Sequence, residues 1–259
     1  MAALSGRRIV VTRRQSQAAS LVDRLVELGA SVVEVPAIEI TPPPDPGPLD
    51  AALSELDRYD WVVLTSPNAV TAVLSRLTVL GLYPRLTDRR RRLASIGPAT
   101  TVALRASFPE DRVALEPKTD FGAAGLVAAF ADERLAGLRV LVPASTEARE
   151  ELAAGLRGLG AMLEVVAAYS TVEPPGLEAA VARCLDQGFD LALFASPSAV
   201  EGFAQRAGER ARGLPVAVIG PTTEAAARVA GFDVRGVAAP STLEALVAAA
   251  ARVLTGPLP

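Results

Sequence analysis

The chain has 259 residues, half of them apolar and 21% charged, which is enough for one large domain or two ordinary ones with real cores. A net charge of −3 argues against nucleic acid as the main partner. The absence of histidine removes Ser-His-Asp and Cys-His nucleophile systems and argues against a transition-metal site. Chemistry must then come from carboxylates, a tyrosine, hydroxyls, Arg/Lys or the backbone. The single cysteine, Cys184, excludes an internal disulfide, fits a reducing compartment and reads as a structural thiol on a helix. The longest apolar runs, such as Ala245–Ala251, are too short to span a bilayer, and the N-terminus has no signal-peptide stretch. No membrane partner and a cytoplasmic location are therefore expected.

In chain order, residues 7–13 read as a buried strand. Residues 16–28 follow at helical spacing, with Gly29 placed to stop the helix. Val32–Ile40 reads as a second strand, and the Pro-rich stretch 41–48 as a linker that is neither helix nor interior strand. A helix at 49–57 leads to an apolar strand ending in Thr65-Ser66-Pro67-Asn68-Ala69-Val70. After the Arg-rich stretch 88–92, the strand Leu93–Ile96 runs into Gly97-Pro98-Ala99-Thr100-Thr101 and a helix. A strand at 112–117 and a helix at 122–135 complete this half.

From Leu138 the pattern restarts with a strand at 138–143, a helix at 147–159 stopped by Gly160, and a strand at 163–171. Glu173-Pro174-Pro175-Gly176 breaks the chain again. A second apolar strand then ends in Ala195-Ser196-Pro197-Ser198-Ala199-Val200. Pro215–Ile219 runs into Gly220-Pro221-Thr222-Thr223, and a strand at 234–237 precedes a last helix at 243–254. The halves thus repeat with a period near 130. Strands alternating with helices imply right-handed βαβ crossovers and parallel sheets covered on both faces. The Pro-rich breaks fall at equivalent points of the repeat, a hint that the chain crosses between two domains there and that one domain holds both termini.

The two Ser-Pro and two Gly-Pro turns can each be no more than good helix starts, since Ser caps and Pro at the first helical position are common. Four related turns at strand carboxyl ends carry more weight. In doubly wound folds ligands bind beyond those ends, and helix N-termini with hydroxyls favour anions, each by roughly 0.3–1 kcal/mol. Arg13 and Arg14 close the first strand, either as surface residues or at the ligand edge. Arg89–Arg92 reads as a solvated loop blunting a sheet edge, with attraction of an acidic ligand as the alternative. Arg149, near a helix start, reads as a surface residue. Tyr169 lies on a strand just before the second crossing. A strand tyrosine is usually packing with a wet tip, yet with no histidine and three tyrosines it is the best available proton donor.

Together these features resemble the uroporphyrinogen-III synthase family. The likeness is carried by Val-Thr-Arg at 11–13, the Ser-Pro turns at 65–70 and 195–200, Ile-Gly-Pro-Ala-Thr at 96–100, Ile-Gly-Pro-Thr-Thr at 219–223, Tyr169, and Pro240-Ser-Thr-Leu-Glu-Ala-Leu. It implies two doubly wound α/β parallel-sheet domains with flavodoxin-like halves, joined by a two-stranded linker. Residues 1–39 and 173–259 would form one domain and 40–172 the other, with substrate in the cleft between them. The implied reaction, a lyase step, closes hydroxymethylbilane to uroporphyrinogen III with inversion of ring D and loss of water, using no cofactor and no metal. That linear tetrapyrrole carries eight carboxylates, which suit several helix N-termini. Most of the task is positioning, with one acid helping the hydroxyl depart. In this reading Tyr169 is the acid. Arg13, Ser66, Asn68, Gly97, Thr100, Ser145, Ser196, Ser198, Gly220, Thr222 and Thr223 bind substrate, and the chain acts as a monomer. The turn at Ser145 departs from the Arg/Gly-containing turn of many relatives. Two other readings stay open: a non-enzymatic two-domain sensor of an acidic metabolite or tetrapyrrole, and a hinged enzyme acting on another phosphorylated or carboxylated molecule. The chain has neither a P-loop nor a Gly-x-Gly-x-x-Gly fingerprint to favour the latter.

Overall fold

The computed structural model describes residues 2–13, 15–88, 90–108, 112–147 and 150–256, without the side chains of residues 15–18 and 87. In chain order, β1 (Arg8–Val11), α1 (Gln15–Glu27) and β2 (Ser31–Glu34) come first. β3 (Glu39–Thr41) and α2 (Gly47–Ser54) lead to β4 (Trp61–Leu64), α3 (Pro67–Val79) and the short α4 (Tyr83–Thr87). Then follow β5 (Arg92–Ser95), α5 (Pro98–Arg105), β6 (Val113–Leu115) and α6 (Ala123–Phe130). β7 (Arg139–Ser145), α7 (Glu150–Gly158) and the long β8 (Met162–Val172) come next. The rest is α8 (Leu177–Gln187), β9 (Leu191–Phe194), α9 (Pro197–Ala207) and β10 (Pro215–Val218), then α10 (Pro221–Val229), β11 (Asp233–Val237) and α11 (Leu243–Thr255).

The chain divides into two compact units, residues 1–39 with 172–259 and residues 40–171, so it passes from one to the other twice. The first unit has a sheet ordered β11-β10-β9-β1-β2 and the second β3-β8-β7-β4-β5-β6. The register is parallel along both series, from β2 through β1, β9 and β10 to β11, and from β8 through β7, β4 and β5 to β6. Apart from β3, which adds a sixth strand beside β8, matching β7 with β1 and β4 with β9 makes the two orders the same. Each is the 2-1-3-4-5 order whose direction reverses between the first and third strands, where such folds bind ligands.

The strands explain themselves. Leu191–Phe194 and Trp61–Leu64 are buried at every position, as a parallel strand covered on both faces must be. In the second unit Val62, Leu64, Leu93 and Leu141 face one apolar cluster with α3, while Trp61, Val63, Ala94, Val140 and Val142 face another with α6 and α7. In the first unit Val10, Ala192 and Phe194 face α8 and α9, and Ile9, Val11 and Leu193 face α1 and α11.

Some details differ from the sequence reading. The strand expected at 32–40 is two strands in two different sheets, because Pro36 interrupts the ladder between them. The linker expected at 41–48 begins as strand, with Thr41 in β3, and ends as helix, with Gly47-Pro48 in α2; proline is tolerated in a first helical turn. The solvated reading of the Arg-rich stretch fails at Arg91, which is 3% exposed; its guanidinium donates to Asp57 at 2.7 Å and to the Arg85 carbonyl. Arg92 pairs with Glu133 and stands 4.0 Å over the Trp61 ring. Arg90 is exposed, and Arg89, like Arg14 and Arg149, lies outside the described residues.

Candidate functional site

All four turns sit at strand carboxyl ends, two in each unit. In the second unit Ser66 is extended (φ −165°, ψ 158°) and its Oγ accepts from the Ala69 N–H at 3.0 Å. In the first unit Ser196 does the same (φ −161°, ψ 154°), accepting from Ala199 at 3.2 Å. Proline follows each serine and has no N–H to satisfy, so the first outward-facing amides are those of Asn68 and Ser198. Gly97 and Gly220 start α5 and α10 with no side-chain cap. Both are extended (φ 165° and 173°), a conformation open to any residue, so glycine is needed there for space. A Cβ on Gly97 would lie 2.9 Å from the Phe121 Cβ, and one on Gly220 would lie 2.4 Å from the Ser241 Oγ. The segment entering α6 in the second unit and the one entering α11 in the first cross over the Gly-Pro turn in the same way.

The Ser66 turn holds the feature that matters most. The Tyr169 hydroxyl is 3.0 Å from the Ser66 Oγ, and the ring is 8% exposed. Tyr169 is on β8, Ser66 follows β4, and β7 lies between them. The phenol therefore crosses the end of β7, a span of roughly 10 Å at about 4.8 Å per strand. It ends at the reversal point between β7 and β4.

A bulge makes this possible. Ala144 pairs with Ala167 but Ser145 pairs with Tyr169, so Ala168 is an extra residue in β8. Strict alternation would put neighbours 168 and 169 on opposite faces, yet both pack into the cluster around Val62, Leu64 and Val70. The extra residue turns the tyrosine onto that face, a re-aiming for which bulges are used beside functional sites. Tyr169 also anchors its surroundings through its carbonyl, which accepts from the Thr146 N–H at 3.0 Å.

The other two tyrosines are committed. Tyr59 donates to Glu164 at 2.6 Å, and burial, with that carboxylate, pushes its pKa well above the ordinary phenol value. Tyr83 donates to the Ser107 carbonyl at 3.0 Å and stacks on Phe108. Both partners are acceptors only, so both protons are fixed. Ser66 can instead donate to the Tyr169 oxygen while its own lone pair takes the Ala69 N–H. Of three phenols, Tyr169 alone can keep its proton for something else.

The remaining sequence candidates fall as follows. Ser145 ends β7, and its Oγ accepts from the Glu147 N–H at 3.3 Å within its own turn. Thr100 and Thr223 are buried in the first turns of α5 and α10, at 2% and 3% exposure, whereas Thr222 is exposed. Asn68 and Ser198 are half-buried. Arg13 follows β1 at the reversal point of the first unit, and burial pulls its guanidinium below the ordinary value. Ser66, Asn68, Gly97, Thr100, Ser145 and Tyr169 thus gather at one sheet edge of the second unit. Arg13, Ser196, Ser198, Gly220, Thr222 and Thr223 gather at the matching edge of the first.

Three supports escaped the sequence reading. The fully buried Thr12 ties the end of β1 to β9 by donating from Oγ1 to the Leu193 carbonyl at 2.8 Å. Thr101 links Ser95 to Glu116 through hydroxyl and carboxylate bonds beneath the Gly97 turn. Phe121 covers Gly97. Only Thr12 had a sequence signal, as a polar residue closing an apolar run. Among the described residues no group of three or more His, Cys, Asp or Glu could hold a metal ion, and no helix is long and apolar enough to cross a membrane.

Two doubly wound α/β units, each with a serine-capped helix start at its reversal point and one carrying a phenol beside it, define a class of two-unit parallel α/β proteins. The family model described as "Uroporphyrinogen-III synthase HemD" matches residues 19–248. The chain belongs to the uroporphyrinogen-III synthase family. It is 32% identical over 231 residues to the Synechococcus elongatus uroporphyrinogen-III synthase, covering 85% of each chain. It is 26% identical over 239 residues to the chloroplastic enzyme of Oryza sativa, covering 90% of this chain and 76% of the relative. Among solved structures, a mutant uroporphyrinogen III synthase of Thermus thermophilus matches with a TM-score of 0.68 at 17% identity, over 96% of this chain and 99% of that one. The Helicobacter pylori protein matches at 0.60 and 17%, over 94% and 98%. At those identities the structures speak for the fold.

Proposed function

We propose that this chain is a uroporphyrinogen-III synthase that closes hydroxymethylbilane to uroporphyrinogen III, a lyase reaction with loss of water and inversion of ring D, with Tyr169 as the proton donor. The observation that carries the residue assignment is the pairing of the Tyr169 hydroxyl with the Ser66 cap at a strand reversal point. The hydroxyl of the substrate must leave to give an electrophilic azafulvene. A phenol whose oxygen accepts from Ser66 can direct its proton to that departing oxygen, and Ser66 then supports the phenolate that remains. The rest of the work is positioning.

In this reading residues 1–39 with 173–259 and residues 40–172 are the two functional domains, each contributing its own edge of turns. The amides of Asn68, Ser198, Thr222 and Thr223, with the positive ends of their helices, take substrate carboxylates, as does the Arg13 guanidinium. Thr100, whose N–H donates to the Gly97 carbonyl at 3.0 Å, acts by fixing its turn, and the buried Thr223 acts through its backbone and by fixing its own. Ser145 shapes the edge opposite Tyr169. The chain acts alone, without a metal or organic cofactor.

The test is turnover of hydroxymethylbilane, with the product oxidised and its isomers separated. Type III isomer formed faster than the spontaneous type I closure supports the proposal. Tight binding of the bilane with only type I at the spontaneous rate would establish the sensor reading instead.

A further inference from the structure

The segment between β6 and α6 has a feature that its counterpart in the other unit lacks. It is pinned at both ends to the first turn of α5. At one end the Glu116 carboxylate accepts from the buried Thr101 hydroxyl, and at the other Phe121 packs on Gly97. Between them is Lys118, the only lysine in the chain; it is exposed and has no hydrogen bond or ion pair among the described residues. Phe121 itself is 48% exposed, although every other phenylalanine of the chain is largely buried. A large aromatic held at a strand-end turn with half its surface in water contributes little to stability where it stands.

The repeat shows that the fold does not need it. The segment before α11 crosses Gly220 in the same way, and there the covering residue is Ser241. A serine therefore suffices to fill this position in a sheet of the same order. The aromatic belongs to the second unit alone, which is also the unit with the phenol.

We propose that Phe121 is a substrate-contacting residue of the second unit, offering its exposed ring as a face for one pyrrole of the bilane while Lys118 takes a carboxylate of the same ring. The inference rests on the reaction proposed above and adds the residues that hold a pyrrole, as distinct from those that hold carboxylates. Aromatic rings gain from packing face or edge against each other beyond the area they bury. A pyrrole with two acidic arms matches an aromatic face flanked by a helix start and an ammonium group. Such an uneven site suits a reaction that treats one ring of four differently from the rest.

The experiment compares the wild-type chain with Phe121→Ser, which installs the covering residue used in the first unit, and with Phe121→Tyr, which keeps the aromatic face. The expected result for Phe121→Ser is a KM for hydroxymethylbilane raised about tenfold, a lower ratio of type III to type I product, and a Tm within a few degrees of wild type. Phe121→Tyr retains the wild-type KM and isomer ratio. Lys118→Gln raises KM about threefold in low salt and less in high salt. An unchanged KM and isomer ratio in Phe121→Ser overturns the inference. So does a loss in Phe121→Ser that is matched in full by Phe121→Tyr, because the ring face is then not what matters. A wild-type chain that makes no type III product sinks the reaction itself, a failure seen before any variant is compared.

Discussion

At Ser66 and at Ser196 the chain makes the same turn, with the same extended serine, the same proline and the same cap to the third amide of the helix. What lies on top differs. Over Ser66 stands the Tyr169 hydroxyl. In the repeat the position of Tyr169 is occupied by Ile38, whose side chain stands near Gly202 on α9 beside the close approach of the Ala37 carbonyl. The Gly-Pro turns differ in the same direction, with Phe121 over one and Ser241 over the other. One frame repeated twice thus carries the same serine and glycine helix starts in both units, with a phenol and an exposed aromatic added in the second. Capping is what the frame needs, and the phenol is what a reaction needs.

Substitutions at matched positions break or sharpen that contrast. The largest effect is expected from Tyr169→Phe. With a ring that still fills the cluster, kcat should fall at least about 100-fold, with little change in KM or in chemical denaturation midpoint. A retained rate, read as uroporphyrinogen III formed per minute, removes the tyrosine from the chemistry. Ser66→Ala and Ser196→Ala come next as a pair. Each should lose about 1 kcal/mol of stability with the cap, but only Ser66→Ala should also cut kcat, by about tenfold. The double variant Ser66→Ala/Tyr169→Phe should fall short of the product of the two single effects, since both remove one proton path. Equal kcat losses in the two serine variants would mean that both turns matter only as anion holders.

Gly97→Ala and Gly220→Ala test the coverings. The new methyl at 97 meets the Phe121 Cβ, which cannot move without its backbone, while at 220 it meets a serine oxygen that can rotate away. Gly97→Ala should cost about 1–3 kcal/mol and Gly220→Ala less than about 1, measured by urea unfolding. The smallest effect belongs to the second unit's other buried phenol. Tyr59 has a raised folded pKa, so its hydrogen bond to Glu164 is fully present below the ordinary phenol pKa near 10. That stability drains away as pH rises from there toward the folded value. Tyr59→Phe should lose stability at pH 7 and show a shallower decline above pH 10, visible in thermal melts across that range.

The frame was legible because its causes are local. All-apolar runs of four, glycines after helices and Ser-Pro or Gly-Pro starts fix strands, stops and caps within a few residues. The repeat of Leu28-Gly29-Ala30 at Leu159-Gly160-Ala161 exposed the duplication. What the sequence could not show depends on register and on distant pairs. The extra residue at Ala168 leaves no mark in the run Ala167-Ala168-Tyr169-Ser170, so which way the tyrosine points had no sequence signal. Pro36 inside Val32–Ile40 was a warning that one apparent strand was two. Arg91 looked like one more charge in a run, and only the fold brings Asp57 to it from 34 positions away.

The indole of Trp61 has a practical consequence. It is the sole tryptophan in the chain, fully buried on β4, edge-on to Phe130 at 4.9 Å and roofed by the Arg92 guanidinium. Its emission is therefore a private gauge of one half of the molecule: a fluorescence melt follows residues 40–171, while circular dichroism follows all helices together. Where the two curves separate, one half is loosening ahead of the other.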